Sequence, residues 1–318
     1  MIGVETPDLT PTLEALFAAQ RRSLFGLAYR LTGDVEDAQD AVQEAFARLL
    51  ASGVAAPAGQ LGRWLARVTT NLAIDALRRR RRHAYPGPWL PSPVGISEPD
   101  PLALYASEAP DPEQRYGLAE SATYAFLVSL EALTPRQRAA LLLRDVLGYS
   151  ARETAECLGV SEGNVRVLHL RARRTLSAYD EERCIPTPEL AARHRVALEC
   201  FLDCLETQDS RGLEALLAED VETVTDAGGE FTALSTPLAG RERVARLYLM
   251  AALHRRVGGT RQEIRVVNGL PAALVTLLAP ERRQAPRSLV RCELDARGRI
   301  RLVHAVLAPR KLRALGVV

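Results

Sequence analysis

The sequence predicts a multidomain chain: two all-α segments, a proline-rich linker between them, and a C-terminal α+β domain. Three observations carry this reading. Helical periodicity runs through residues 10–82 and returns over 121–179. Residues 86–112 hold eight prolines, which exclude a helix or a central strand. Beyond Pro186 and Pro188, short strand-like runs alternate with glycine turns. The implied domains are 10–84, 85–120, 121–180 and 186–318.

Composition narrows the class. At 318 residues, 47% of them hydrophobic, the chain can build two or three cores. No run reaches the roughly 18 apolar residues of a membrane span, and the first residues lack a basic-then-apolar leader. A cytoplasmic protein without a membrane role is expected. The five cysteines are scattered; Cys200 and Cys204 would share a helix face, but no His or Cys at zinc-like spacing accompanies them. Buried structural thiols, and no metal, are the expectation. Among 41 basic residues only Lys311 is a lysine.

Charge is unevenly placed although the net is only +2. Between Asp34 and Glu44 lie five acids and no base; between Arg63 and Arg82, seven arginines face one acid, Asp75. An acidic helix followed by a basic one points to two different partners. On the first, Asp37, Asp40 and Glu44 share a face opposite Ala38, Val42, Ala45 and Leu49. Such a stripe repels phosphates; on physical grounds alone it is solvated, or docked on a basic protein. The next helix, over about 61–82, is expected to bury Leu61, Leu65, Val68 and Leu72. It would present Trp64, Arg67, Asn71, Asp75 and Arg78 as a ridge that can stack on and neutralise single-stranded DNA.

The strongest local pattern lies in residues 133–176. Thr134-Pro135-Arg136-Gln137 and Ser150-Ala151-Arg152-Glu153 read as capping boxes, Ser161 as a third N-cap, and Gly148 and Gly159 as C-terminal glycines. The turn Leu158-Gly159-Val160-Ser161 is that of a helix-turn-helix. Val165, Leu168, Ala172 and Leu176 form its core stripe. Arg166, Val167, Leu170, Arg171 and Arg174 face outward, arginines for phosphates and guanine edges and apolar side chains for thymine methyls.

In the last domain, helices are expected over 191–207, 212–217 and 241–257. Strands are expected over 221–225, 263–267, 272–278, 288–295 and 299–307, with turns at Ala227-Gly228-Gly229, Asn268-Gly269 and Arg297-Gly298. His194, His254 and His304 show no catalytic spacing, so no enzyme and no cofactor is expected. Asp226 is equally well read as the residue of an Asx-turn.

Taken together, three segments resemble the extracytoplasmic-function sigma factors. They are Asp34-Val-Glu-Asp37-Ala-Gln-Asp40-Ala-Val-Gln43-Glu44-Ala-Phe46, then Trp64-Leu-Ala-Arg67-Val-Thr-Thr-Asn71-Leu-Ala-Ile-Asp75-Ala-Leu-Arg78, then the helix-turn-helix with Val165-Arg166 and Arg171-Ala172-Arg173. The resemblance implies that 10–84 is region 2 and 121–180 is region 4. Asp37, Asp40, Gln43 and Glu44 would then dock on the β′ clamp helices of core RNA polymerase, replacing the solvated reading. Trp64, Arg67, Asn71 and Arg78 would melt and read the −10 element, with a flipped base near Asn71. Arg166, Val167, Leu170, Arg171 and Arg174 would read the −35 element, region 4 lying on the β flap. The specificity loop falls at about 51–62.

The tail is similar to the subgroup with a SnoaL-like (NTF2-like) α+β cone. Trp89-Leu90-Pro91-Ser92-Pro93 stands where that subgroup has Trp-Leu-Pro-Glu-Pro. Asp226-Ala227-Gly228-Gly229-Glu230 replaces Asp-Gly-Gly-Gly-Lys, and Ala308-Pro309-Arg310-Lys311-Leu312 replaces Asn-Pro-Asp-Lys-Leu. The resemblance implies regulation in cis. The domain would pack on the sigma core and the Trp89 linker and set how far the two DNA-reading domains separate, with Trp89, Leu90, Pro91, Asp226, Gly228, Gly229, Lys311 and Leu312 as interdomain regulatory residues. Removal of residues after about 200 is expected to change promoter output. A small ligand in the cone stays open. So do two rivals: a one-component helix-turn-helix regulator with a ligand-sensing domain, and a cyclase-like enzyme fused to a DNA-binding module.

Overall fold

The computed structural model describes residues 10–52, 57–95, 115–256 and 259–316. The specificity loop at 51–62 therefore lies partly outside the described residues, as do Pro99, Pro101, Pro110 and Pro112. The chain divides into two compact units. One holds the described residues of Met1–Arg79, Ser97–Leu118 and Leu130–Ala178; the other holds those of Arg80–Ile96, Ala119–Ser129 and Tyr179–Val318.

The first unit is helical. α1 (Thr10–Thr32), α2 (Val35–Ser52) and α3 (Ala58–Arg82, entering the second unit at Arg80) precede the linker. α2 buries Val35, Ala38, Ala41, Val42, Ala45, Phe46 and Leu49 on one face. That face is the expected stripe, broadened to the width a globular core needs. α3 differs from expectation. Leu61 and Leu65 are buried, but Val68 and Leu72 are only half-buried. The buried arc instead continues through Ala66, Thr69, Thr70, Ala73, Ile74, Ala76 and Leu77. Large aliphatic side chains dominate a hydrophobicity pattern, whereas close helix packing favours small ones, so the inner face lies rotated from the Leu/Val stripe.

After α4 (Tyr124–Ser129), which belongs to the second unit, come α5 (Pro135–Leu141), α6 (Ala151–Leu158) and α7 (Glu162–Thr175). Both capping boxes form as spelled: Thr134 with Gln137 and Ser150 with Glu153. Ser161 caps α7, and Gly159 closes α6 at φ 63°, where a Cβ would be strained. Leu142–Val146 widens into one π-helical turn that the pattern does not betray. On α7, Val165, Ala172 and Leu176 are buried and Leu168 half-buried.

The second unit is an α+β fold built on one six-stranded sheet. After α8 (Ser177–Glu181) come α9 (Pro188–Thr207), α10 (Ser210–Leu216), β1 (Leu217–Asp226), β2 (Leu238–Ala239) and α11 (Arg241–Arg256). β3 (Thr260–Val267), β4 (Leu270–Leu277), β5 (Arg287–Leu294), β6 (Ile300–Val306) and α12 (Pro309–Leu312) complete it. The sheet order is β2-β1-β6-β5-β4-β3, with only the β1–β6 pair parallel. The five foreseen strands are present, β1 starting earlier than expected. Two-residue β2 is too short to leave a period-2 signature.

Both sheet faces are covered. One core joins Leu198, Phe201, Leu213, Val221, Val244, Val290 and Val303 beneath the helices. The other gathers Leu90, Tyr124, Val267, Ala272, Leu274, Leu289, Val306, Leu312 and Leu315. Burial on both faces explains why β4 (Leu-Pro-Ala-Ala-Leu-Val-Thr-Leu) reads as an unbroken apolar run. Cutting the chain near residue 200 would divide α9 and uncover Leu90 and Tyr124, so point substitutions test this domain more cleanly. Of the cysteines, Cys157 and Cys292 are buried but Cys184, Cys200 and Cys204 are only half-buried, a correction to the expectation of buried thiols. Cys200 and Cys204 lie on α9 at the edge of its packed face, where amphipathic register leaves them partly in solvent.

Candidate nucleic-acid interface and linker clasp

On α2 the acids stay outside the core. Asp37 is half-buried, Asp40, Gln43 and Glu44 are exposed, and Glu44 pairs with Arg48 at 2.8 Å. Asp34, not singled out for a role, starts the helix: its Oδ1 accepts from the Asp37 amide at 3.1 Å. On α3, Arg67, Asn71 and Arg78 are exposed and Trp64 half-buried on the same ridge, with Arg78 paired to Asp75 at 2.9 Å. Asn71 is engaged: its Nδ2 donates to the Arg67 carbonyl at 2.9 Å and to the Cys157 carbonyl, at the end of α6, at 3.3 Å. The base-binding candidate thus rests against the helix-turn-helix. The buried Arg138 guanidinium strengthens this closure, donating to the Leu31 carbonyl at 2.9 Å and to Leu130 and Glu131 at 2.7 Å.

α7 presents Arg166, Val167, Leu170, Arg171 and Arg174 outward; Val167 and Leu170 are 45% and 51% exposed. Pattern reading missed what orients it. Asp145, fully buried on the π-helical turn, accepts from Arg173 at 3.0 and 2.8 Å and bonds His169 at 2.7 Å. Burial alone would raise its pKa, but hydrogen bonds from His169 and Arg173 outweigh that and hold the carboxyl below its ordinary value. Asp145, beside Arg144 in an otherwise apolar run and with basic residues 24 and 28 positions later, is the available signal.

In the second unit, the segments around Asp226 and Lys311 close on the linker. Asp226, 1% exposed at the end of β1, accepts four hydrogen bonds. They come from the Tyr85 hydroxyl at 2.7 Å, the Leu90 amide at 2.8 Å, Lys311 Nζ at 2.5 Å and the Gly228 amide at 3.1 Å. The last of these is the Asx-turn; the other three reach across the fold. Lys311, 3% exposed on α12, also donates to the Leu90 carbonyl. Its ammonium lies 4.3 Å from the centroid of the Trp89 ring and 4.8 Å from that of Tyr85. Arg80 lies against the Trp89 ring at 3.7 Å, so two cations contact the indole.

A compact ammonium with three donors suits this enclosure, where a planar guanidinium would need more room. That is a physical reason for the chain's one lysine. Gly228 and Gly229 adopt φ 59° and 78°, and a Cβ on Gly229 would come within 2.9 Å of Pro86. Leu90 and Leu312 share the second core, and Tyr124 donates its hydroxyl proton to the Pro91 carbonyl. Trp89, Leu90, Pro91, Asp226, Gly228, Gly229, Lys311 and Leu312 are therefore brought together; Tyr85, Arg80, Tyr124 and Asn268 are participants that pattern reading missed. Beneath the helices, a cavity of about 640 Å³ is lined by Phe201, Leu205, Tyr248, Val275 and Val290, with Glu206 and Gln262.

Comparison with known proteins follows this layout. Residues 16–83 match the family model for sigma-70 region 2, and residues 124–176 that for sigma-70, region 4. The ECF RNA polymerase sigma factor SigJ of Mycobacterium tuberculosis is 34% identical over 239 residues, 73% of this chain and 71% of that one. SigG of the same species is 38% identical over 201 residues, the match spanning about half of it, 54%. The crystal structure of M. tuberculosis SigJ superposes with a TM-score of 0.69 at 27% identity, covering 95% of this chain and 98% of the other. Among the described residues no helix is long and apolar enough to cross a membrane. With both sigma-70 regions matched in order and a 34% identical relative covering 73% of its length, the chain belongs to the extracytoplasmic-function RNA polymerase sigma factors.

Proposed function

We propose that this sigma factor is regulated in cis by its cone, which holds the linker between regions 2 and 4. The carrying observation is the buried Asp226–Lys311 pair closed on Leu90, with Arg80 and Lys311 both against the Trp89 ring. A linker fastened in this way limits how far the two DNA-reading segments can separate, and promoter output depends on that span.

In this reading Asp37, Asp40, Gln43 and Glu44 dock on the β′ clamp helices of core polymerase, their charge complementary to a basic surface. Trp64, Arg67, Asn71 and Arg78 engage the −10 strand, and Arg166, Val167, Leu170, Arg171 and Arg174 the −35 major groove, with region 4 on the β flap. The bond from Asn71 to the Cys157 carbonyl supports a closed free state. Engaging a flipped base requires that bond to break, which core polymerase binding would drive. The cone contributes no catalytic step.

The test is run-off transcription with core polymerase on a promoter library, comparing the full chain with its Lys311→Ala variant. A changed output or promoter preference is expected; identical transcripts from both proteins across the library would defeat cis regulation. Failure of the full chain to bind core polymerase in a pull-down would return the one-component regulator reading.

The cavity beneath the helices favours a second role, sensing a small amphipathic ligand. Native mass spectrometry of the full chain should then show an adduct that filling the cavity with Ala252→Trp, on its α11 wall, removes. An adduct-free protein purified from its own cells speaks against it.

A further inference from the structure

β3 is an outer strand of the sheet, and its hairpin to β4 turns through Asn268-Gly269. Asn268 adopts φ 51°, a left-handed conformation that Asn tolerates better than most residues. Its carboxamide is 1% exposed and uses both ends. Oδ1 accepts from the Val94 amide at 3.0 Å, and Nδ2 donates to the Ala122 carbonyl at 2.8 Å. The Asn268 amide itself donates to the Val94 carbonyl at 2.9 Å, and Gly95 bridges Val267 in antiparallel fashion.

One partner is a donor and the other an acceptor, so only one orientation of the amide satisfies both. Three separate stretches meet at this side chain: the linker at Val94, the start of region 4 at Ala122, and the β3–β4 turn. The start of region 4 also carries Tyr124, whose hydroxyl holds the Pro91 carbonyl. Asn268 therefore acts on the linker directly through Val94 and indirectly through Tyr124.

None of these bonds involves a formal charge, unlike the Asp226–Lys311 clasp on Leu90. Between the two attachments run Pro91, Ser92 and Pro93. The prolines fix φ and lack N–H donors, so this stretch forms no backbone N–H bond at either proline and the linker depends on the attachments at its two sides. We propose that Asn268 is a second, uncharged anchor, a positioning residue that sets the linker on the sheet edge independently of Lys311. The linker is then released only when both attachments fail. The consequence for transcription rests on the cis-regulation reading; the anchor itself is read by a different measurement.

The experiment uses full-length protein in four forms: wild type, Asn268→Gly, Lys311→Ala and the double variant. Glycine keeps the positive φ while removing the carboxamide. Backbone hydrogen exchange at Val94 reports the anchor, and acetylation of Lys311, the chain's one lysine, reports the clasp. Asn268→Gly should speed exchange at Val94 by at least about tenfold and change Lys311 acetylation less than about twofold. Lys311→Ala should speed exchange at Leu90 and leave Val94 protected. Only the double variant should become sensitive to proteolysis within residues 85–95.

Asn268→Asp guards against a folding artefact. It keeps an acceptor for the Val94 amide but loses the donor to Ala122, so it should loosen residues 119–129 while Val94 stays protected. Protection of Val94 in Asn268→Gly, or its loss in Lys311→Ala alone, would overturn the anchor. The expected exchange pattern together with unchanged run-off transcription in the double variant would instead overturn cis regulation.

Discussion

Each unit of the molecule is organised around a buried aspartate, and the two differ in how far their partners lie along the chain. Asp145 bonds His169 and Arg173, separated from it by 24 and 28 residues. Asp226 bonds Lys311, Leu90 and Tyr85, separated by 85, 136 and 141. The first orients one helix inside a small helical module and is formed once that module folds. The second closes long loops, whose entropy must be offset by the contacts themselves. A bond of that kind can open without dismantling the helix-turn-helix. The difference separates a structural pin from a clasp suited to regulation.

The largest expected effect is at the clasp. Lys311→Ala leaves Asp226 buried without its cation and should cost about 3–5 kcal/mol in denaturant unfolding of the second unit. Lys311→Arg should retain less than full stability because the fork does not fit between Trp89, Leu90 and Asp226. A wild-type unfolding curve for Lys311→Ala would remove the contrast between pin and clasp.

Next in size, Leu90→Ala should cost about 2–5 kcal/mol, since the linker supplies a fully enclosed side chain to the second sheet core. If the cost falls near zero, the linker is not held there in solution.

Asp145→Asn should weaken the helix-turn-helix by about 1–3 kcal/mol by leaving Arg173 and His169 short of a charged acceptor. The Asp145 pKa is depressed in the folded state. Its contribution is therefore fully present above the ordinary carboxylate pKa of 3.8 and is lost as pH falls below it toward the folded value. Thermal unfolding between about pH 5 and 2 should decline less steeply in Asp145→Asn than in wild type. Parallel curves would show that the pin is not ionised there.

Smaller still, Thr134→Ala and Ser150→Ala each remove a capping box and should cost about 1 kcal/mol. The smallest stability change, within about 0.5 kcal/mol, is expected for Arg171→Ala on the exposed face of α7. In the holoenzyme the same substitution should lower −35 binding and reduce the salt slope by about 1 if Arg171 contacts a phosphate. An unchanged salt slope would remove it from the DNA face.

Legibility followed the same division between near and far. The caps at Thr134, Ser150 and Ser161 depend on residues three positions apart, so their spelling alone indicated three helix starts. The acidic stripe of α2 was readable because one helical period places it. On α3 the helical period predicts an inner face through Val68 and Leu72, whereas the structure buries Ala73 and Ile74. Helix packing selects shape as well as hydrophobicity, and small residues leave a faint trace in a pattern. The strands were found from their turns, yet β2 escaped because two residues carry no alternation.

From the sequence alone came the order of the segments, the outward arginines of α7, the glycine turn after Asp226 and the isolation of one lysine among forty arginines. These rest on local rules of backbone conformation and helical or strand period. Only the tertiary structure decided that Lys311 meets Asp226 and Leu90, that Asp145 holds α7, and that Asn268 joins Val94 to Ala122. Such pairings depend on which distant surfaces exclude water together, and no spacing along the chain encodes a hydrogen bond made across 85 or 146 residues.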